Sequence, residues 1–279
     1  MELRNLEYLK KISDEGTFLA AAESLHVSQP ALTRAMQKLE DELGLTLFDR
    51  TKNNAKINEA GMLAVECAED VLDRVAEMMG RMENYKKSLT TLSVGSCAPG
   101  PTFELIPRLT SLYPEMTISS VIQPENTLVE GLLNDNYRLI VLSKPCSEEN
   151  VLCLPYVRES LMVSLPKKNP LAKRDKLYFS DLKGLNILSS TNLGIWQEIH
   201  DTKMKGANFI VQPDRKTLHE LIAASDLPNF VTNLSKQYVS YVPENRVAIP
   251  LDEPDASVQF YICALKKNKK IVTKVIDEP

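Results

Sequence analysis

The chain has 279 residues, of which 43% are hydrophobic and 25% charged, and its formal net charge is −4. This composition is typical of a soluble globular protein long enough to form two or more compact units. The acidic balance excludes a polybasic protein that holds nucleic acid through bulk charge, although it leaves room for a local basic face.

Nothing at the N-terminus or along the chain predicts export or a membrane. The first residues, MELRNLEYLKKI, lack the apolar core of an export signal, and no apolar run approaches membrane-spanning length. The five cysteines are scattered without close pairs, and the three histidines add no metal-ligand spacing. We therefore expect a cytoplasmic protein with reduced thiols, no metal site, no cofactor and no membrane partner.

The pattern of the sequence changes once, near residue 90. Before it, apolar residues recur at helical spacing and Pro30 is the sole proline. After it, short β-branched runs alternate with helical patterns, at 91–97, 116–123, 137–143, 161–165, 185–190, 209–212 and 258–265. The sequence therefore predicts an all-helical head followed by an α/β body with parallel strands.

Two short helices with a tight turn are predicted in the head. Thr17 is a good N-cap for the first of them, His26 and Val27 form the connection, and Ser28 is the N-cap of the second. Pro30 falls in the first turn of that second helix, where a missing N–H costs little, and Gly44 is a natural stop. The inward face of the second helix then comprises Leu32, Ala35 or Met36, Leu39 and Leu43. This arrangement is a helix-turn-helix suited to the major groove of DNA.

The outward face of the second helix carries side chains that can read base edges. Gln29 suits adenine, Arg34 suits guanine, and Thr33 offers a hydroxyl or methyl contact. Basic residues farther along suit phosphates, and residues 45–58 read as a short hairpin, the wing, although a solvated loop would also explain them. The predicted DNA-contacting residues are Ser28, Gln29, Pro30, Thr33, Arg34, Lys38, Arg50, Lys52 and Lys56.

A long helix is predicted from the N-cap Asn58 to about Leu89. Its apolar residues are spaced alternately by four and three, at Ala64, Ala68, Val71, Val75, Met78, Met82, Tyr85 and Leu89. This spacing is the seam of a coiled coil and favours a partner helix from a second copy. The alternative is that the small Ala64 and Ala68 let the stripe pack on its own head.

The stretch GTFLAAAESLHVSQPALTRAMQKLEDELGLTLFDRT, followed by NEAG, resembles the N-terminal signature of LysR-type transcriptional regulators over residues 3–61. The resemblance implies a winged helix-turn-helix over 1–58, a dimerisation linker helix over 59–89 and an effector-binding domain over 90–279. That domain would be periplasmic-binding-protein-like, with subdomain I at 90–160 and 258–279 and subdomain II at 161–257. It also implies a homodimer through the linker helix, a homotetramer as the full assembly, and double-stranded DNA and a small-molecule effector as partners.

Polar turns at the carboxyl ends of the predicted strands are candidates for the effector pocket. At these turns, the resemblance implies the following effector-binding residues: Ser96, Cys97, Pro99, Glu125, Asn126, Ser190, Thr191 and Thr232. Helix capping is the alternative role for their hydroxyl and amide groups. An acidic Glu125 would disfavour a dicarboxylate or aromatic acid unless Arg138 or Lys144 offsets it, so we expect an atypical effector.

The sequence also allows functions other than transcription regulation. Cys97 at a helix N-terminus could be a nucleophile or redox switch, but a small buried cysteine is the preferred interpretation. A regulatory disulfide between Cys146 and Cys153 is a further option. The runner-up classes are a cytoplasmic α/β solute-binding or enzymatic protein with an accessory helical head, and an architectural DNA-bound protein. We expect a regulator and no enzyme.

Overall fold

The computed structural model describes residues 1–50, 55–238 and 242–277. The chain divides into two compact units, Met1–Glu83 and Asn84–Pro279. Within the described ranges, no helix is both long and apolar enough to cross a membrane. The boundary between the two units, after Glu83, lies close to residue 90, where the pattern of the sequence changes.

The first unit begins with three helices, α1 (Leu3–Glu15), α2 (Phe18–Ser24) and α3 (Gln29–Leu43). The predicted caps are confirmed: the Ala20 amide donates to Thr17 Oγ1 at 3.2 Å, and the Ala31 amide donates to Ser28 Oγ at 3.4 Å. Gly44 ends α3 in the left-handed region, with φ at 67°. Leu32, Met36 and Leu39 are fully buried, but Leu43 is exposed and does not belong to the inward face as predicted.

A short hairpin follows α3, as the sequence predicted for the wing. Strands β1 (Phe48–Arg50) and β2 (Ala55–Ile57) pair antiparallel. Asn58 then caps α4 (Glu59–Ser88), because its Oδ1 accepts from the Gly61 amide at 2.9 Å. Its Nδ2 donates to the Thr46 carbonyl at 3.0 Å. One side chain thus joins the wing to the start of the long helix.

The apolar seam of α4 has two different environments. Ala68 is buried and Ala64 half-buried in the core of the first unit. The alternative of packing on its own head is therefore correct for the start of the seam. Farther along, large apolar side chains of the seam are exposed in the single chain, namely Val71, Met78, Met82, Tyr85 and Leu89.

The second unit begins with a parallel sheet. Strands β3 (Thr91–Ser96), β4 (Thr117–Ile122) and β5 (Leu139–Leu142) lie in the order β4, β3, β5, with helices α5 (Gly100–Leu112) and α6 (Glu125–Leu133) between them in sequence. Strand β11 (Ser257–Leu265) returns near the C-terminus and pairs antiparallel with β5, before α10 (Lys269–Asp277). We call this part lobe I.

A second group of strands is reached through β6 (Val151–Pro166), the longest strand described. Residues up to Ser160 of β6 pair with β11, whereas those from Leu161 pair with other strands. The remaining elements form lobe II, which comprises β7 (Asn186–Ser189), α7 (Ile195–Lys203), β8 (Asn208–Val211), α8 (Arg215–Ala224), β9 (Asn229–Thr232), α9 (Asn233–Tyr238) and β10 (Arg246–Pro250). The chain therefore passes between the lobes along β6 and returns just before β11.

Candidate functional site

The first candidate site is the exposed start of α3. Ser28, Gln29, Pro30 and Arg34 are exposed and Thr33 is half-buried. The Thr33 hydroxyl donates to the Gln29 carbonyl at 2.9 Å, and Arg34 Nε donates to the Pro30 carbonyl at 3.3 Å. Both contacts fold the side chains back along the helix toward its N-terminus. The predicted base-reading residues therefore share one exposed surface.

The residues predicted to contact phosphates have different surroundings. Lys38 pairs with Glu2 at 2.6 Å, so a phosphate would have to compete with that carboxylate. Hydrogen bonding to Glu2 raises the pKa of Lys38 above its ordinary value, which keeps the amine charged. Lys56 is exposed on β2, opposite Asp49. Lys52 lies outside the described residues, as does the side chain of Arg50.

The second candidate site is a cavity of about 890 Å³ between the lobes. Lobe I supplies the turn before α6 and the residues that follow β5, and lobe II supplies the loop before α7 and one face of that helix along its whole length. Strand β11 forms a further wall through residues such as Gln259 and Tyr261. The cavity thus lies beyond the carboxyl ends of parallel strands, where ligands of open α/β sheets bind.

Glu125 is the best-defined charged group of the cavity. Its Oε1 accepts from the Ser143 amide at 2.5 Å and from the Ser143 hydroxyl at 2.7 Å. A carboxylate of the protein itself thus occupies donors that could otherwise hold an anionic ligand. Lys144 lines the same cavity and can offset this charge. Arg138 cannot, because it lies at the opposite end of β5 and donates to Ser88 Oγ and Asn268 Oδ1.

Cys97 lines the cavity beside Glu125. Burial, and then the neighbouring carboxylate, raise the pKa of the Cys97 thiol far above its ordinary value. A nucleophilic role needs a depressed pKa, which is the opposite direction. The preferred interpretation, a small buried cysteine, agrees with its exposure of 1%.

A direct backbone contact joins the lobes at the cavity. The Ile195 amide at the start of α7 donates to the Cys97 carbonyl at 2.9 Å. Gly194 permits this approach: it has a φ of 61°, and a Cβ there would lie 1.9 Å from the Cys97 oxygen. An ion pair between Lys203 and Asp255 at 2.7 Å adds a second link at the cavity wall.

A buried carboxyl lies where β6 leaves lobe I. Glu159 is 1% exposed, and its Oε2 accepts from Trp196 Nε1 at 3.0 Å. It also contacts the Thr232 hydroxyl and abuts Gly100, where a Cβ would lie 1.8 Å from its Oε1. Burial raises the pKa of Glu159 to about 7, although the Thr232 and Trp196 donors oppose this increase.

The other predicted pocket residues do not line this cavity. Ser96 is buried and donates to the Ala98 carbonyl at 2.6 Å. Pro99 precedes α5, Ser190 is half-buried and Thr191 is exposed, and none of the three is among the lining residues. Thr232 is buried against Glu159. Of the predicted set, the structure thus brings together Cys97, Glu125 and Asn126.

Several lining residues were missed from the sequence. They include Ser143 and Asp255, and residues on the exposed face of α7 and on β11. Ser143 is the last residue of the predicted strand at 137–143, which was a usable signal. The residues of β11 gave no such signal, because their position depends on a strand that returns from more than one hundred residues away in sequence.

Two family models match the chain. Residues 3–62 match the bacterial regulatory helix-turn-helix proteins of the lysR family, and residues 88–272 match the LysR substrate binding domain. The chain belongs to the LysR family.

Curated relatives are regulators by name. The chain is 31% identical over 195 residues to a probable RuBisCO transcriptional regulator of Cyanophora paradoxa, which covers 67% of this chain and 60% of that protein. It is 29% identical over 192 residues to the DNA-binding transcriptional dual regulator OxyR of Escherichia coli K12, covering 67% of this chain and 63% of that protein. The chain thus matches about three fifths of the length of these relatives.

Solved structures share the fold. Full-length OxyR from Pseudomonas aeruginosa, a single-residue variant, is similar with a TM-score of 0.52 and 23% identity, covering 99% of both chains. Full-length BenM is similar with a TM-score of 0.51 and 22% identity, covering 100% of this chain and 96% of that one. These similarities confirm a winged helix-turn-helix, a linker helix and an α/β domain of two lobes.

We predict that Glu159→Gln removes a pH dependence from the stability of the second unit. The unfolded carboxyl has a pKa near its ordinary value of 4.5 and the folded one a pKa of about 7. The native state therefore holds a proton that the unfolded state releases between these pH values. The favourable contribution is complete below pH 4.5 and is lost as the pH rises through 7, by about 3 kcal/mol.

The measurement is urea unfolding followed by the fluorescence of Trp196, at several pH values between 4.5 and 8. His200 titrates in the opposite sense, since burial lowers its pKa to about 4, so wild type and variant are compared at equal pH, where its contribution cancels. The variant should gain stability relative to wild type as the pH rises. Parallel pH profiles for the two proteins would contradict the assignment.

Proposed function

We propose that the protein is a cytoplasmic, non-enzymatic transcription regulator that binds double-stranded DNA as a homo-oligomer and responds to a small molecule in the cavity between its lobes. The observation that carries this proposal is the exposed N-terminus of α3, where Gln29, Thr33 and Arg34 lie together. Amide, hydroxyl and guanidinium groups are the groups that read base edges in the major groove. The regulator names of the relatives support the same proposal.

Each of the predicted DNA-contacting residues has a proposed role in DNA binding that follows from its side-chain chemistry. Ser28 and Pro30 set the start of α3, and Gln29, Thr33 and Arg34 read bases. Lys38, Arg50, Lys52 and Lys56 hold phosphates, which fix the orientation of the protein without selecting a sequence. The proposed domains are 1–58 for DNA, 59–89 for the linker, and 90–279 for the effector, with subdomain I at 90–160 and 258–279 and subdomain II at 161–257.

The effector is proposed to differ from a simple carboxylic acid. Glu125 already accepts hydrogen bonds from the amide and the hydroxyl of Ser143. Asp255 already forms an ion pair with Lys203. Lys144 is the remaining cation of the lining residues, and the exposed carboxylate of Glu198 faces the same space. A small molecule that carries a positive charge, alone or beside a negative one, complements this set better than a dicarboxylate does.

We expect Arg34→Ala and Gln29→Ala to relax sequence selection. Each should lower the preference for the bound site over random duplex by about 1–3 kcal/mol, because paired hydrogen bonds to a base edge are lost. The measurement is footprinting on the DNA immediately upstream of the gene that encodes the protein, followed by titration of the protected duplex and a scrambled one.

Two control variants make the outcome specific. Lys56→Ala should weaken binding to both duplexes by the same factor, because a phosphate contact carries no sequence information. Arg74 is an exposed residue of α4 that pairs with Glu77. Arg74→Ala should leave binding to both duplexes unchanged. Equal losses on specific and scrambled DNA for Arg34→Ala would contradict the base-reading role, and the absence of any protected duplex would contradict the proposed function.

The exposed part of the α4 seam is the proposed contact between two copies. Met78, Met82 and Tyr85 are between 55% and 60% exposed, although they continue the stripe that includes the buried Ala68. A second copy carries the same stripe, and a coiled-coil pair of these helices would bury it. Pairing two modest DNA-binding faces also raises affinity without a large net positive charge. Tetramers formed from such dimers are part of the same proposal.

We predict that Met78→Glu lowers the mass of the particle in solution, because a carboxylate in the seam would be buried without a partner. Gly80→Glu is the matched control, since it adds the same charge at a position of the same helix with open space around it. Light scattering should show a smaller mass for Met78→Glu than for wild type, and an unchanged mass for Gly80→Glu. An unchanged mass for both would place the subunit contact elsewhere.

A further inference from the structure

Two cysteine sulfurs meet within lobe I, where β6 pairs with β11. Cys153 on β6 and Cys263 on β11 are directly opposite in the antiparallel register. The Cys263 thiol donates to Cys153 Sγ at a distance of 3.0 Å. A third cysteine, Cys146, uses its backbone amide to donate to the same Cys153 sulfur at 3.3 Å. The sulfur of Cys153 is therefore the centre of the cluster.

The backbone geometry already suits a covalent bond. Directly opposite residues of an antiparallel pair have Cα atoms about 4.5–5.5 Å apart, which lies within the usual range for disulfides. The two sulfurs need to approach by only about 1 Å to reach bonding distance, a movement that rotation of the side chains can supply. The sequence-based option, a disulfide between Cys146 and Cys153, lacks this opposite placement.

We propose that Cys153 and Cys263 form a reversible dithiol–disulfide site, oxidised by a small disulfide of the glutathione type. Cys153 is half-buried, whereas Cys263 is 0% exposed and burial raises the pKa of its thiol. Cys153 is therefore the first to react.

The exchange proceeds in two balanced steps. The Cys153 thiolate attacks the small disulfide, so that a mixed disulfide forms and one small thiolate leaves. The Cys263 thiol then loses its proton and displaces the second small thiolate from Cys153. Two protein thiols and one small disulfide thus give one protein disulfide and two small thiols, and an excess of the small thiol reverses the reaction.

Oxidation would alter the cavity by way of the Cys146 backbone amide. Movement of Cys153 Sγ toward Cys263 weakens the hydrogen bond from the Cys146 amide, which anchors the residues after β5. Ser143, Lys144 and Pro145 directly precede Cys146 and line the cavity, and Ser143 holds Glu125. The effect on an effector rests on the proposed function, whereas formation of the disulfide does not.

The test equilibrates the full chain with glutathione buffers from fully reduced to fully oxidised. All proteins carry Cys67→Ser, because Cys67 is exposed on α4 and would join separate chains. Alkylation of free thiols, digestion without reductant and mass spectrometry then locate the bond. We expect a peptide pair linked through Cys153 and Cys263, which Cys263→Ala abolishes and Cys146→Ser retains.

Two physical readouts accompany the mapping. Oxidation should raise the melting temperature by about 5 °C or more, because the bond closes a chain segment that contains all of lobe II. Amide exchange of residues 143–150 should become faster on oxidation and stay unchanged in Cys263→Ala.

The proposal would be overturned by a bond between Cys146 and Cys153 instead, or by thiols at 153 and 263 that stay reduced in fully oxidised buffer while the unfolded chain oxidises. Neither result depends on DNA binding, so failure here is distinct from failure of the proposed function.

Discussion

The close approach of the two lobes at the cavity depends on one backbone contact, the hydrogen bond from the Ile195 amide to the Cys97 carbonyl. It joins the end of the first parallel strand of lobe I to the first turn of α7 in lobe II. Without a glycine at position 194 the two backbones could not come this close, since a Cβ there would overlap the Cys97 oxygen. The cavity, the Lys203–Asp255 ion pair and the burial of Trp196 all lie next to this contact.

Buried polar groups also collect where the lobes meet. Glu159 lies on the strand that leaves lobe I, and its partners Trp196 and Thr232 belong to lobe II. A carboxyl so buried costs free energy when it is charged, and here its hydrogen bonds link the two lobes. A ligand that changed the spacing of the lobes would be thermodynamically coupled to these contacts.

Local features of the head could be predicted from the sequence, because they depend on neighbouring residues. Thr17, Ser28 and Asn58 cap the helices that follow them, as predicted, and the family resemblance over the head is confirmed by the family model. The seam of α4 was predicted as a pattern, but where it changes from the core of its own unit to exposed surface was not. That change depends on where the head ends in space.

Long-range features of the body could not be predicted in this way. Strands β9 and β10 and the first half of β6 were missed, the last because Pro155, Arg158 and Glu159 interrupt its apolar pattern. Arg138 was assigned to the cavity from its place in the sequence, yet it lies at the other end of β5. Arg246 gave no signal, although it is buried and its guanidinium binds the carbonyls of Ile222, Ser225 and Leu227.

The central claim is that the close approach of the lobes at the cavity requires the glycine at position 194, and a comparison of two glycine variants tests it most directly. Gly194→Ala and Gly184→Ala both place a side chain at a positive φ, but a Cβ at Gly184 meets nothing within 4 Å. The measurement is the emission of Trp196, the single tryptophan of the chain, together with amide exchange at Ile195. We expect red-shifted emission and faster exchange for Gly194→Ala, and wild-type behaviour for Gly184→Ala at both probes. Wild-type emission and protection in Gly194→Ala would contradict the account.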